Sequence, residues 1–320
     1  MRIVFCGTPQ FGVPTLKHLL GQPDFETVAV LTQPDRPRGR GQSVSFSPVK
    51  VAALAAGIPV HQPEKIRAPD AQELLQKLAP DAVVIIAYGQ IIPARLLPIP
   101  KLGWINLHAS LLPKYRGAAP INWAIVNGET KTGVTSMRID AGMDTGEMLL
   151  QKEMEIGATE TAPELAARMS EMGAPLMVET LRGLASGTLV PRAQDNAQAS
   201  MAPMLKKEDG RINWSLPALE IFNRIRGFAP WPGAYTSFRG QTCHILGEPA
   251  SKELSEQHVQ PGKPGAPGSL MVSKREVTVV CGGTTYLRLD RVKQEGRKQV
   301  SAAEFVNGAH LLTGEHFGET

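Results

Sequence analysis

The chain has 320 residues, of which 42% are hydrophobic, and its formal net charge is +4. This length exceeds one ordinary domain, and the composition is that of a globular protein with a core in each of two domains. The three cysteines stand far apart, without a CxxC pair or a Cys/His cluster, which argues against a disulfide framework or a zinc site and favours a reducing compartment.

The first residues have the pattern of a strand and not of a signal peptide, and no run approaches the ~18 apolar residues of a membrane span. We therefore expect a cytoplasmic protein without membrane contact. Strands are predicted in chain order at RIVFCG, TVAVLTQP, IPVHQP, DAVVIIAYG, GWINLHAS, TGVTSMRID and GEMLLQKEMEI. Helices are predicted at VPTLKHLL, SPVKVAALAAG, APDAQELLQKLAP and residues 161–187.

This alternation predicts an α/β, Rossmann-like domain: an open, mostly parallel sheet with covering helices. In such sheets a site lies at the carboxyl ends of the strands, where we expect the loops after Gly7, Pro34, Tyr88, His108 and Asp140 to open. The first loop, GTPQFG, lacks the GxGxxG spacing, and the chain contains no lysine-bearing P-loop. The pattern therefore argues against a nucleotide-binding domain.

The C-terminal part has a different organisation. Polar, Ala-rich residues 188–205 predict a linker after a first domain over 1–187. Short strand-like segments separated by Gly and Pro follow, and they predict a small, OB-like β-barrel domain over 206–320.

Three polar residues stand where the site is expected. Asn106 and His108 alternate with apolar neighbours on one strand and share a face, and Asp144 lies in a Gly-rich loop. An amide and an imidazole can donate hydrogen bonds to an oxyanion, and a carboxylate beside the imidazole can orient it and relay a proton. From the residues alone the structural alternatives stay open: a buried core histidine, a turn-forming Asp and an Asn that bonds the next loop.

The stretch NLHASLLPKYRGAAPINWAI, followed by DAGMDTGE, resembles the folate-dependent formyltransferases. This resemblance implies 10-formyltetrahydrofolate as cosubstrate, no metal, and catalytic positions at Asn106, His108 and Asp144. It also implies an apolar folate pocket. The pocket residues would be Ser110, Leu111, Leu112 and Pro113, together with Ile86 and Tyr88 from the stretch 83–93.

Within this family, the likeness extends to members that formylate initiator methionyl-tRNA, through TQPDRPRGRGQSVSFSPVKVAA and GFAPWPGAYT. It implies that the basic loop with Arg36, Arg38 and Arg40 contacts the tRNA, and we expect further phosphate contacts from Lys206 and Lys207. Charge alone leaves a merely solvated loop open. We expect a monomer.

Three other functions are compatible with parts of the same sequence pattern. A 10-formyltetrahydrofolate hydrolase would use water as acceptor, although water needs no basic loop. A formyltransferase for a small amine is a further alternative. The C-terminal domain and the basic loop disfavour glycinamide ribonucleotide as its acceptor, whereas an amino sugar stays open. A tRNA-binding protein with an inactive folate site is disfavoured by the intact Asn106, His108 and Asp144.

Overall fold

The computed structural model describes residues 1–38, 43–250, 265–273 and 276–318. The strands are β1 Arg2–Gly7, β2 Glu26–Leu31, β3 Pro37–Arg38, β4 Ser43–Val44, β5 Val60–His61, β6 Ala82–Ile86, β7 Trp104–His108, β8 Arg116–Gly117, β9 Lys131–Arg138, β10 Met148–Glu155, β11 Met201–Ala202, β12 Tyr235–Phe238, β13 Gln241–Pro249, β14 Leu270–Val272, β15 Val277–Cys281, β16 Thr285–Gln294 and β17 Val300–Ser301. The helices are α1 Val13–Leu20, α2 Pro48–Ala55, α3 Pro69–Leu78, α4 Pro120–Val126, α5 Ala162–Ser186, α6 Ala218–Gly227 and α7 Ala302–Ala309.

The chain packs into two compact units. The first comprises Met1–Pro120, Lys131–Glu155 and Glu164–Pro203, and the second comprises the rest. Residues 188–203, which lie in the stretch predicted as a linker, belong to the first unit: β11 pairs with β8, and Met148 and Arg192 exchange backbone hydrogen bonds. The assignment of separate activities to residues 1–187 and 206–320 stays a prediction.

The first unit is built on a seven-stranded sheet of order β10-β9-β7-β6-β1-β2-β5. The five strands from β7 to β5 are parallel, and β9 and β10 extend the sheet as antiparallel strands. All five residues of β6 are buried, as expected where helices cover both faces of a sheet. The predicted mostly parallel α/β sheet is confirmed.

Local signals in the sequence explain the helix boundaries. The Ser47 side chain accepts a hydrogen bond from the Lys50 amide, and Pro48 occupies the first turn of α2. Ala79 ends α3 in the left-handed conformation, with φ of 45°. The predicted helix over 161–187 is present as α5.

Helix α5 packs closely on β7, the strand that carries Asn106 and His108. A Cβ atom at Gly173 of α5 would lie 2.3 Å from Cδ2 of Leu107, which is only 3% exposed. The glycine therefore permits the close approach of the helix to the strand. Because Leu107 is buried, a larger side chain at this position must push the Leu107 side chain out of its place in the core or move the helix.

We expect Gly173→Val to lower the free energy of unfolding by about 1–3 kcal/mol, the usual cost of overpacking a core. Urea unfolding followed by circular dichroism measures this loss. The control is Ala167→Val, because Ala167 is an exposed residue of the same helix and reports the effect of valine on the helix alone. Equal losses in the two variants would contradict the close-packing argument.

The second unit contains an antiparallel sheet of order β12-β13-β16-β15-β14, with β17 paired to β16. The register shifts between Leu246 and Gly247 of β13, and such a bulge bends the strand and helps the sheet to curl. Phe238, Phe305 and Phe317 form an aromatic cluster in the core of this unit, with ring centroids 5.5–6.4 Å apart. The predicted small, OB-like β domain is confirmed as a curled antiparallel sheet.

Among the described residues, no helix combines the length and the apolar character that a membrane crossing requires.

Candidate active site

The end of β7 presents a polar pair on one face of the sheet. Asn106 is partly buried, and its side chain makes no hydrogen bond within the described part of the chain. His108 is 5% exposed, and its Nε2 lies 2.9 Å from the backbone oxygen of Tyr115. Since a carbonyl oxygen only accepts, Nε2 carries the hydrogen of this contact, and the ring turns Nδ1 toward the site.

Asp144 supplies the carboxylate that faces His108. Its Oδ2 lies 3.6 Å from His108 Nδ1 and accepts a hydrogen bond from the Gly117 amide at 2.8 Å. The separation from Nδ1 is longer than a hydrogen bond, so the structure brings the two groups together without a direct bond between them. Asp144 adopts a left-handed backbone conformation, with φ of 53°.

The path by which Asp144 reaches this position differs from the expectation. The sequence predicts that the loop after Asp140 opens at the carboxyl ends of the parallel strands, but β9 runs antiparallel to β7 and pairs Arg138 with Ile105. The loop therefore starts at the opposite end of β7. It returns to His108, and this return brings the three polar residues together.

The segment after β7 is held by hydrogen bonds from the adjacent strands. Thr135 Oγ1 of β9 donates to the Ser110 oxygen at 2.7 Å and accepts from the Leu112 amide at 3.2 Å. Gln151 of β10 donates to the Leu112 oxygen at 2.8 Å. Ser110 and Leu112 are buried, whereas Leu111 and Pro113 are partly exposed. Of the four predicted folate-pocket residues in this segment, Leu111 and Pro113 are therefore the two with solvent-exposed surface.

Ile86 and Tyr88 are buried at the end of β6, with 0% and 1% exposure. The Tyr88 side chain packs in the core, and burial raises the pKa of its hydroxyl. The Tyr88 carbonyl oxygen accepts hydrogen bonds from Thr8 and Gln33, at 3.2 and 3.0 Å. Any contribution of these two residues to a ligand pocket therefore comes from their backbone.

The basic loop is only partly described. Arg36 is exposed and lies 3.6 Å from the equally exposed Glu64. Arg38 belongs to the short β3–β4 pair, and Arg40 lies outside the described residues. The start of the loop is anchored at Asp35, where hydrogen bonding from Lys50 holds the pKa of the carboxyl below its usual value.

Lys206 and Lys207 are exposed in the second unit, at the start of a short 3₁₀ helix. Their side chains are therefore available to an anionic partner. Within the described ranges of the chain, no cluster of His, Cys, Asp and Glu residues could hold a metal ion.

Two side chains near Asp144 were missed by the sequence analysis. Arg116 is 6% exposed, and its guanidinium bonds the side chain of Gln194, which in turn bonds the backbone of the Asp144 loop. Arg116 lies in the KYRG stretch, a few residues after His108, and this proximity in sequence could have marked it as part of the site. Gln194 lies in polar, Ala-rich sequence and gives no local signal.

A mostly parallel sheet that carries an Asn, a His and an Asp at one site, followed by a small antiparallel sheet, is the architecture expected of a folate-dependent formyltransferase. Residues 1–181 match the formyl transferase family, and residues 204–310 match the formyl transferase C-terminal domain. The chain belongs to the formyl transferase family, as its sequence motifs predict.

Its similarity to individual members extends over the full length. The chain is 54% identical over 319 residues to the methionyl-tRNA formyltransferase of Solibacter usitatus, covering 100% of this chain and 99% of that protein. It is 46% identical over 318 residues to the methionyl-tRNA formyltransferase of Geobacter metallireducens, covering 99% of each.

Two solved structures share the fold at low sequence identity. One is a sugar 3N-formyl transferase crystallised in the presence of dTDP and 5-N-formyl-THF, with a TM-score of 0.66 at 20% identity over 93% of this chain and 99% of that chain. The other is glycinamide ribonucleotide transformylase 1 from Symbiobacterium toebii, with a TM-score of 0.51 at 22% identity over 61% of this chain and 94% of that chain.

Proposed function

We propose that this protein transfers the formyl group of 10-formyltetrahydrofolate to the α-amine of initiator methionyl-tRNA. The observation that carries the proposal is the 54% identity that spans the whole chain, including the C-terminal domain, to a relative named for this reaction. The reaction takes place in the cytoplasm, and the protein acts as a monomer.

The reaction is a direct transfer between two nitrogens. The neutral α-amine attacks the formyl carbon, and a carbon–nitrogen bond forms while the carbonyl oxygen gains negative charge. The bond from this carbon to N10 of the folate then breaks. The proton lost by the amine is balanced by the proton gained at N10, so no external acid or base is consumed.

Asn106 and His108 stabilise the oxyanion in this scheme. The Asn106 amide has no hydrogen-bond partner among the described residues, so it can bind substrate without first breaking one of those contacts. The contact of His108 Nε2 with the Tyr115 oxygen leaves Nδ1 as the ring nitrogen that acts on substrate. Two donors of this kind in a buried site stabilise developing negative charge more than they would in water.

Asp144 serves as counter-charge and proton carrier. Its carboxylate stands 3.6 Å from His108 Nδ1, so a protonated imidazole has a negative partner next to it. The gap between the two groups suits a bridging water or a reacting group. Through this position, the carboxylate accepts the proton of the attacking amine and returns it toward the leaving N10.

The folate would bind beside this triad. The partly exposed Leu111 and Pro113 provide apolar surface for the pterin and benzoyl groups. Ile86 and Tyr88 are assigned to the same pocket through their backbone, where the Tyr88 oxygen already accepts from Thr8 and Gln33. Ser110 and Leu112 are assigned to the same pocket, where both are buried and the backbone of each bonds Thr135 of β9.

The tRNA contacts are assigned to Arg36, Arg38 and Arg40 of the basic loop and to Lys206 and Lys207. The exposure of Arg36, Lys206 and Lys207 supports their part in this assignment. Cations that neutralise phosphates release counterions, so their contribution weakens as salt concentration rises.

Arg36→Ala is expected to raise KM for methionyl-tRNA about fivefold to tenfold at low salt, while kcat changes little. Formylation rates measured over a series of salt concentrations give the effect and its salt slope. The matched control is Glu64→Ala, which removes the same 3.6 Å ion pair but keeps the cation. If both variants raise KM equally, Arg36 acts through the ion pair and not through the tRNA.

A panel of acceptors tests the proposed function. The purified protein is given 10-formyltetrahydrofolate with charged initiator methionyl-tRNA, with uncharged tRNA, or with a dTDP-linked amino sugar. The sugar is included because a sugar formyl transferase shares the fold. We expect product with the charged tRNA alone, and product with the amino sugar alone would replace the proposal with sugar N-formylation.

A further inference from the structure

The side-chain amide of Gln194 bridges two carbonyl groups of the Asp144 loop. Its Nε2 lies 2.7 Å from the backbone oxygen of Asp144 and 2.7 Å from that of Gly146. Both partners only accept hydrogen bonds, so the nitrogen of the amide faces them with its two hydrogens. Gln194 thereby ties down the backbone on both sides of Thr145.

The other end of the same amide faces a buried cation. Gln194 Oε1 accepts from Arg116 Nε at 3.0 Å and from Arg116 Nη2 at 2.8 Å. Arg116 is 6% exposed, and its Nη2 also donates to Asn196 Oδ1 at 2.8 Å. Because arginine only donates, these contacts fix the same orientation of the amide as the two carbonyl contacts.

Together with the contact between Gly117 and Asp144, these hydrogen bonds form a closed cycle that includes the catalytic carboxylate. Arg116 directly precedes Gly117, whose amide donates to Asp144 Oδ2 at 2.8 Å. Asp144 is therefore held from two sides: its carboxylate by the Gly117 backbone, and its own backbone by Gln194, which the Arg116 side chain orients. The pairing of β8 with β11 also holds the backbone of residues 116 and 117.

The conformation of Asp144 requires such support. A non-glycine residue with φ of 53° is uncommon, although Asp tolerates this region better than most residues, and surrounding contacts must maintain it. The hydrogen bond from Gln194 to the Asp144 oxygen fixes the orientation of the peptide group between Asp144 and Thr145. Without it, the loop can relax and carry the carboxylate away from His108 Nδ1.

We infer that Gln194 is a positioning residue, which sets the catalytic geometry by holding the Asp144 loop on the Arg116 side chain. The inference rests on the proposed role of Asp144 in formyl transfer. It gives a function to part of the stretch that the sequence predicts as a linker. Gln194 itself contacts neither substrate in this scheme.

Gln194→Glu separates positioning from packing. The new carboxylate keeps the size of the side chain and still accepts from the buried Arg116, but it has no hydrogens for the Asp144 and Gly146 oxygens. We expect kcat to fall about 100-fold, the order expected when reacting groups are misplaced by about 1 Å. KM for folate and for the acceptor, and the urea midpoint, stay close to those of the wild type.

The matched control is Gln198→Ala. Gln198 is an exposed glutamine of the same segment, and its side chain donates to Asp195 at 2.8 Å, away from the Asp144 loop, so this variant keeps wild-type kcat. If Gln194→Glu also keeps wild-type kcat, the inference is overturned. If Gln194→Glu loses kcat only together with a large fall in the urea midpoint, Gln194 is a folding residue and the inference is again overturned.

A double-mutant cycle shows whether Gln194 acts through Asp144. In an Asp144→Asn background we expect Gln194→Glu to lower kcat less than about threefold, because the carboxylate that it positions is already gone. A full 100-fold loss in that background would contradict the inference. The cycle is run with whichever amine the wild type formylates, so failure of the tRNA assignment and failure of the Gln194 inference are separately visible.

Discussion

Replacing His108 by alanine is expected to lower kcat for formyl transfer about 10³-fold, because the variant loses the proposed oxyanion donor and the proposed partner of Asp144 in proton transfer. The contact of Nε2 with the Tyr115 oxygen fixes the orientation of the His108 ring. The substitution therefore removes Nδ1 from a defined position in the site. Rapid-quench measurements with methionyl-tRNA give kcat, and filter binding gives the affinity for tRNA.

The affinity for tRNA should change little in His108→Ala, because the ring is 5% exposed and offers almost no surface to a macromolecule. His18→Ala serves as the control, since His18 is an exposed histidine at the end of α1. A His108→Ala variant that retains more than about a tenth of wild-type kcat would rule out the oxyanion role.

Asp144→Asn is expected to lower kcat about 10²- to 10³-fold, while the loop keeps its conformation. The asparagine oxygen can still accept from the Gly117 amide, as the carboxylate does at 2.8 Å. What the variant loses is the negative charge beside His108 and the ability to carry a proton. The measurement is kcat with methionyl-tRNA, together with the urea midpoint as a report on folding.

Asp140→Asn is the matched control, because it removes a negative charge from the same loop without changing Asp144. Asp140 lies in the same loop, where its carboxylate accepts from the Gly142 amide and the Thr145 hydroxyl, and the structure gives it no contact with His108. We expect this variant to retain nearly all of kcat. Equal losses at positions 140 and 144 would mean that both act on the shape of the loop, and the proton-carrier role of Asp144 would be wrong.

The sequence patterns predict the strand that carries this site, because the alternation of side chains along a strand is a local property. Alternation along β7 places Asn106 and His108 on one face, and strand geometry alone enforces that outcome. Helix boundaries such as Ser47-Pro48 are local, because the capping side chain and the amide it bonds are three residues apart.

Contacts between distant segments are not encoded in such local patterns. The position of Asp144 depends on the antiparallel direction of β9 and on a loop that returns along β7, and neither can be deduced from the DAGMDTGE stretch. Gln194 is 50 residues from Asp144, and its bonds form only after residues 188–203 pack on the first unit. The buried position of Tyr88 likewise follows from packing around β6, not from the residue itself.

The most direct test of the account is the stoichiometry of formyl transfer in a single turnover. Protein in excess over 10-formyltetrahydrofolate that is labelled in the formyl group is mixed with methionyl-tRNA or with buffer alone, and the label is followed in folate, tRNA and protein. Direct attack by the tRNA-bound amine predicts one formyl-methionyl-tRNA for each folate consumed, no consumption without the charged tRNA, and no label on the protein. Consumption of folate without an acceptor, or label retained on the protein, would contradict direct attack by the tRNA-bound amine.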